Sequence, residues 1–137
     1  MKKPVYFINK FHKANYLRLI KKAGTKSPDM TPTAYILAAI GTLENSEGAF
    51  TSIDKHFLPT GIDFATLSQS LTGDSAARAL LKAAANLYDS ENYANMNEVF
   101  SPLGDEYQAV VYQGLLVKFP SFSRSWDKKY PYSEKEI

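Results

Sequence analysis

The stretch Thr31-Pro32-Thr33-Ala34-Tyr35-Ile36-Leu37-Ala38-Ala39-Ile40-Gly41-Thr42-Leu43 decides the fold. It carries no charged side chain, and Thr31-Pro32 supplies an N-cap followed by proline at a first helical position. A helix that is apolar all round has no face to offer water, so it belongs inside the protein. The expectation is an all-α fold: a compact, irregular bundle of five or six helices around a buried central helix at about residues 32–43.

Upstream, Asn9 is an N-cap candidate, and a helix is expected to run from there to Ala23, with Gly24 as its stop. At 100° per residue Tyr16, Leu17, Leu19, Ile20 and Ala23 share an apolar face. Lys10, Arg18, Lys21 and Lys22 share the other. Phe11 breaks this pattern, and the extended segment Val5–Ile8 is expected to cover it. Downstream, Glu44–Gly61 is the least regular region. Asn45-Ser46-Glu47-Gly48 reads as a turn, Ser52–Phe57 as one helical turn, and Pro59-Thr60-Gly61 as a break. A short helix over Asp63–Leu71 and an alanine-rich one over Ser75–Tyr88, capped by Gly73-Asp74, follow. A short helix around Asn95–Phe100 precedes the break at Pro102 and Gly104. The last long element, Glu106–Phe119, fits helical spacing through Tyr107, Val110, Val111, Gly114 and Val117. Its valines and tyrosine also suit a strand, but its length and the cap at Asp105 favour a helix.

The 137 residues suit one domain, and 45% hydrophobic composition provides a core while arguing against disorder. The domain is expected to span 1–137, with an aromatic C-terminal segment, 120–137, either docked on the core or offered to a partner. Cysteine is absent, which excludes disulfides, thiolate zinc sites and cysteine nucleophiles. The apolar run after Lys2-Lys3 ends at Ile8, too short for a secretory signal. No stretch approaches the ~20 apolar residues of a membrane span. A cytoplasmic protein without membrane association is therefore expected.

Charge is segregated. Residues 1–26 carry eight basic side chains and no acidic one, whereas residues 27–107 carry eleven Asp or Glu against Lys55, Arg78 and Lys82. Lys10, Arg18, Lys21 and Lys22 form the face expected to contact phosphate or an acidic partner. Nonspecific nucleic-acid binding is thus one alternative function, set against a solvated face or one turned to an acidic surface of the same protein. A helix-turn-helix is excluded: the connection to the next helix is too long, and that helix lacks base-reading side chains.

Conventional catalytic signatures are missing. There is no G-x-S-x-G elbow, no Walker loop and no G-x-G-x-x-G. Glu44 and Glu47 form a carboxylate pair, but their polar neighbours place them in solvent. His12 lies beside the apolar face of the first helix, and a histidine there can serve as a base, a ligand or a structural hydrogen-bonding group. His56 has Asp54 nearby, yet no His-x-x-x-His spacing joins the two histidines into a metal site. No catalytic residue, metal or cofactor is assigned. At the other end, Phe122, Trp126 and Tyr130 recur at four-residue spacing, interleaved with Arg124, Lys128 and Lys129. As a helix this segment presents an aromatic stripe of the kind used as anchors in grooves.

Phe7-Ile8-Asn9 followed by His12-Lys13 and Tyr16 is similar to the opening of a family of uncharacterised small proteins from Gram-positive bacteria and their mobile elements. That family is a domain of unknown function. Ala85-Asn86-Leu87-Tyr88 resembles its second marker. The resemblance covers roughly residues 5–119 and implies an all-α fold without supplying an activity. It directs attention to His12, Asn86 and Tyr88 as candidate pocket residues. The function expected from all of this is a small protein-interaction or accessory protein, with a protein partner or a second copy of itself. An enzyme or ligand-binding protein with a site near His12 is the remaining alternative.

Overall fold

The computed structural model describes residues 4–24, 30–44, 48–71 and 74–120. Within them lie seven helices: α1 (Lys10–Ala23), α2 (Met30–Ile40), α3 (Ala49–His56), α4 (Phe64–Ser70), α5 (Ser75–Tyr88), α6 (Met96–Phe100) and α7 (Asp105–Lys118). A two-stranded hairpin, β1 (Phe57–Leu58) and β2 (Gly61–Ile62), separates α3 from α4. The class is all-α, as expected. The seventh helix comes from the irregular region, where Ala49–His56 forms two turns in place of the single turn expected.

The central helix is where the uncharged stretch placed it. Every residue of α2 except Thr31 is buried, and α1, α3, α5 and α7 all pack against it. Its bounds are shifted towards the N-terminus. Met30 opens the helix, so Pro32 sits in the first turn, where its missing N–H costs no intrahelical bond. The helix ends at Ile40, because Thr42 and Leu43 N–H groups bond back to Ala39 and Ile40 carbonyls in a tighter turn. The Thr42 hydroxyl donates to the Ala39 carbonyl at 2.7 Å and lies 2.8 Å from the Tyr107 hydroxyl, tying this turn to α7.

Two contacts set how closely the other helices approach α2. A Cβ at Gly114 of α7 would meet Ile36 Cδ1 at 2.7 Å and Cγ1 at 2.9 Å, so only glycine admits α7 at this distance. Thr33, fully buried on α2, donates its hydroxyl to the Ala84 carbonyl of α5 at 3.1 Å. A buried hydroxyl without a partner is costly, and the alanine-rich wall of α5 lets the two backbones come near enough to provide one. α5 and α7 run parallel: Asp74 and Asp105 border one cleft at their N-terminal ends, and the Lys118 ammonium donates to the Leu87 carbonyl at 2.8 Å near their C-terminal ends. Glu106–Phe119 is therefore helical for nearly its whole length, as its length suggested, but Asp105 is the first residue of α7 and not its cap, a position that Gly104 holds without a side-chain bond.

The hairpin was not foreseen. Pro59-Thr60-Gly61 breaks the helical pattern as expected, but the break serves as a turn that pairs Phe57 with Ile62 and Leu58 with Gly61. Phe57 is fully buried, so this short ladder closes the core beneath α3. Two expectations about α1 are corrected. Leu17 points to solvent, and Phe11 remains 61% exposed with the Lys10 ammonium 5.3 Å from its ring centre. Val5–Ile8 covers a different residue.

Candidate functional site

That residue is His12. Asn9 caps α1 by accepting the His12 N–H at 3.0 Å, which orients the first turn so that the imidazole enters the core. The ring is fully buried. Its Nδ1 accepts the Ile8 N–H at 3.2 Å, and its Nε2 lies 2.9 Å from the Tyr35 carbonyl oxygen. An N–H on one side and a carbonyl on the other leave one tautomer: neutral imidazole with the proton on Nε2. Burial pushes its pKa below the ordinary value, with the Tyr35 carbonyl opposing that shift. Around it Phe7, Tyr16 and Tyr35 form an aromatic cluster, with ring centres 4.8–5.0 Å from His12 for Tyr35 and Phe7. The Tyr35 hydroxyl donates to the Tyr6 carbonyl at 2.5 Å, so the segment before α1 is held at both Tyr6 and Ile8. Both ring nitrogens of His12 are used in holding the chain, so neither is free for a base or a ligand.

The basic face of α1 is partly consumed as well. Arg18 pairs with the Asp54 carboxylate at 2.9 Å. Lys22 lies 3.5 Å from the same carboxylate and also donates to the Asp54 backbone oxygen. The Arg18 hydrogen bond is the largest influence and holds the Asp54 carboxyl below the usual carboxylate range; burial opposes it, and the Lys22 and Arg18 charges add to the lowering. Of the four cations singled out in the sequence, Arg18 and Lys22 therefore face an acidic group of the same protein, and Lys10 leans over Phe11. Lys21 stays exposed.

Asn86 and Tyr88 are not assembled with His12. The Asn86 amide donates to the Asn92 carbonyl at 2.8 Å, and the Asn92 amide returns a bond to the Ala85 carbonyl at 3.0 Å. Asn86 thus satisfies the loop after α5. The Tyr88 ring packs on Phe64 with centres 5.5 Å apart. Phe122, Trp126 and Tyr130 lie outside the described residues.

Three clefts are lined by described residues, and His12 lines none of these three. One, of about 680 Å³, lies where Glu44, Asp74, Asp105 and Glu106 converge with Thr42 and Tyr107. Asp74 is engaged there as the N-cap of α5, accepting from Ala76 and Ala77. Among the described residues no group of three or more metal-ligating side chains is placed to hold an ion. A second cleft, of about 420 Å³, is bounded by α4, one face of α5 and Tyr93. The third is a small apolar groove of about 160 Å³, walled by Leu87 of α5, Met96, Val99 and Phe100 of α6, and Val111 and Leu115 of α7. That is near the volume that accommodates one aromatic ring.

The groove was invisible in the sequence because its wall is shared by three helices. One signal was present: Met96 is apolar at the start of a five-residue helix, a place where solvent contact is hard to avoid. It is 75% exposed at the rim of the groove. No helix of the described residues is long and apolar enough to cross a membrane. Compared with models of known families, with curated proteins and with solved structures, the chain matches none.

Proposed function

We propose that this chain is a small protein-interaction or accessory protein, and that it self-associates by seating the aromatic segment 121–130 of one copy in the α5–α6–α7 groove of another. The observation that carries this reading is the exposed Met96 above an apolar groove sized for an aromatic ring. Exposed methionine is characteristic of surfaces that take apolar side chains, because the thioether adapts to the shape placed on it.

The chemistry of the segment suits the groove on two counts. Phe122, Trp126 and Tyr130 supply aromatic anchors at helical spacing. Arg124, Lys128 and Lys129 flank them, while the segment 89–98, which gives Ala94, Asn95 and Met96 to the groove, carries Asp89, Glu91 and Glu98 and no basic residue. α7 lines the groove through Val111 and Leu115. Reciprocal exchange of the segment between two copies closes a symmetric dimer. The setting we assign is the cytoplasm, in keeping with the absence of cysteine. Catalysis at His12 is set aside because both of its ring nitrogens hold backbone groups.

Sedimentation equilibrium of the full chain tests the proposal. A concentration-dependent dimer is expected, lost on truncation after Pro120, on Trp126→Ala and on Met96→Glu. A full chain that stays monomeric at all concentrations, or a dimer indifferent to all three changes, overturns it.

A further inference from the structure

The second cleft lies on a different face of α5 from the groove. Arg78, Leu81, Lys82 and Ala85 recur at i, i+3, i+4 and i+7 and share that face. Phe64 and Ser68 of α4 stand opposite. Its volume of about 420 Å³ falls within the usual range for small-molecule sites.

The cleft is braced from behind. Tyr88 packs on Phe64, and the bonds from the Asn86 amide to the Asn92 carbonyl and from the Asn92 amide to the Ala85 carbonyl fix the turn that leads to Tyr93. The Asn95 amide donates to the Tyr93 hydroxyl at 3.4 Å, so the ring is tethered although 76% exposed. The residues highlighted by the second sequence marker, Asn86 and Tyr88, thus support a cleft that they do not line.

Its charge is specific. Lys82 lies 3.4 Å from the Glu98 carboxylate, whereas Arg78 has no ion-pair partner among the described residues. Two cations against one carboxylate leave a single positive charge beside an apolar floor of Phe64, Leu81 and Ala85. We infer that this cleft binds a small aromatic monocarboxylate. Its carboxylate pairs with the Arg78 guanidinium, whose planar fork matches two carboxylate oxygens. Its ring lies on the floor between Phe64 and Tyr93. A neutral aromatic molecule leaves Arg78 unpaired. A dianion brings one charge more than the cleft can balance. The inference stands apart from the groove and from the segment beyond Pro120.

Titration of the full ¹⁵N-labelled chain, followed by NMR, tests it with phenylacetate as probe. Saturable shifts confined to residues 64–68, 78–85 and 92–93 are expected, with millimolar affinity. Acetate and 2-phenylethanol, each lacking half of the recognised chemistry, are expected to bind at least about tenfold more weakly. Arg78→Gln lowers phenylacetate affinity by about tenfold, and Lys82→Gln by less, because Glu98 already faces Lys82. Arg78 is exposed, so an unchanged thermal midpoint verifies the fold of the variant. Should Arg78→Gln nonetheless unfold, Tyr93→Ala serves in its place, with the same direction of loss expected. Absence of saturable shifts overturns the inference, as does equal binding to a folded Arg78→Gln chain. Phenyl phosphate binding about tenfold more tightly than phenylacetate overturns the monoanion assignment.

Discussion

His12 joins two segments through opposite edges of one ring: its Nε2 lies 2.9 Å from the Tyr35 carbonyl oxygen, and its Nδ1 accepts the Ile8 N–H at 3.2 Å. Only the neutral imidazole can do both. A second proton on Nδ1 would displace the Ile8 N–H and leave a charge within the aromatic cluster of Phe7, Tyr16 and Tyr35.

Acid should therefore destabilise the protein through His12. Burial lowers its folded-state pKa from the ordinary histidine value of about 6.5. The unfolded chain thus binds the proton more readily, and stability falls as pH drops. The contribution is fully present above the unfolded pKa and is lost progressively below it, down through the folded pKa. Urea midpoints measured between about pH 7.5 and 5 should decline, and the decline should be smaller in His12→Gln. At neutral pH that variant should cost about 2–3 kcal/mol, because a buried backbone group loses its partner. An equally steep decline in both proteins would refute the assignment.

The closeness of α7 to α2 predicts the cost of one methyl group. Gly114→Ala places a Cβ 2.7 Å from Ile36 Cδ1. Overpacking of this kind costs about 1–3 kcal/mol, offset slightly by the higher helix propensity of alanine. Adding Ile36→Val removes the Cδ1 that clashes, so the double variant should recover part of the loss. A double-mutant cycle on thermal midpoints reads this coupling directly.

Asp54 should mask part of the basic face. Its carboxylate holds Arg18 and Lys22, so Asp54→Asn releases both cations from their ion pairs. Retention on heparin should extend to higher salt in the variant than in the parent chain. Identical elution would mean that α1 contributes nothing to polyanion contact.

The Asn86–Asn92 pair holds the turn that presents Tyr93, and its loss should loosen that turn locally. Asn86→Ala removes the bond to the Asn92 carbonyl and should cost about 1 kcal/mol. Amide exchange at residues 92–95 should accelerate while α2 stays protected. Uniform acceleration throughout the chain would instead show that Asn86 supports the whole core.

Local chemistry made much of the fold legible. Asn9 and Asp74 are N-caps where their side chains suggested it, and Gly24, with φ of +77°, ends α1 as a residue without a Cβ can. The errors also have local causes. Leu17 lies at the edge of the apolar face of α1, and Phe11 falls between Arg18 and Lys22 around the helix, where an apolar side chain does not by itself imply burial. The hairpin at Phe57–Ile62 has only two residues per strand, too few to show an alternating pattern. Of the site residues, the sequence could mark Arg18 and Lys22 as a basic pair. It could not show that Asp54, 32 positions beyond Lys22, would face them.

By itself, then, the sequence determined the class of the protein and its centre. An uncharged run at Thr31–Leu43 can satisfy its backbone as a helix and its side chains only by burial, whatever surrounds it. It also determined where charge and aromatic residues are concentrated along the chain. Tertiary structure alone decided which of those groups are spent on the protein itself. It turned His12 inward to hold Ile8 and Tyr35, gave Arg18 and Lys22 to Asp54, and left Arg78 and Met96 facing open clefts. The physical reason is that burial and pairing depend on neighbours distant in the chain. Helical periodicity reports the face a side chain occupies, and only packing reports what meets it there.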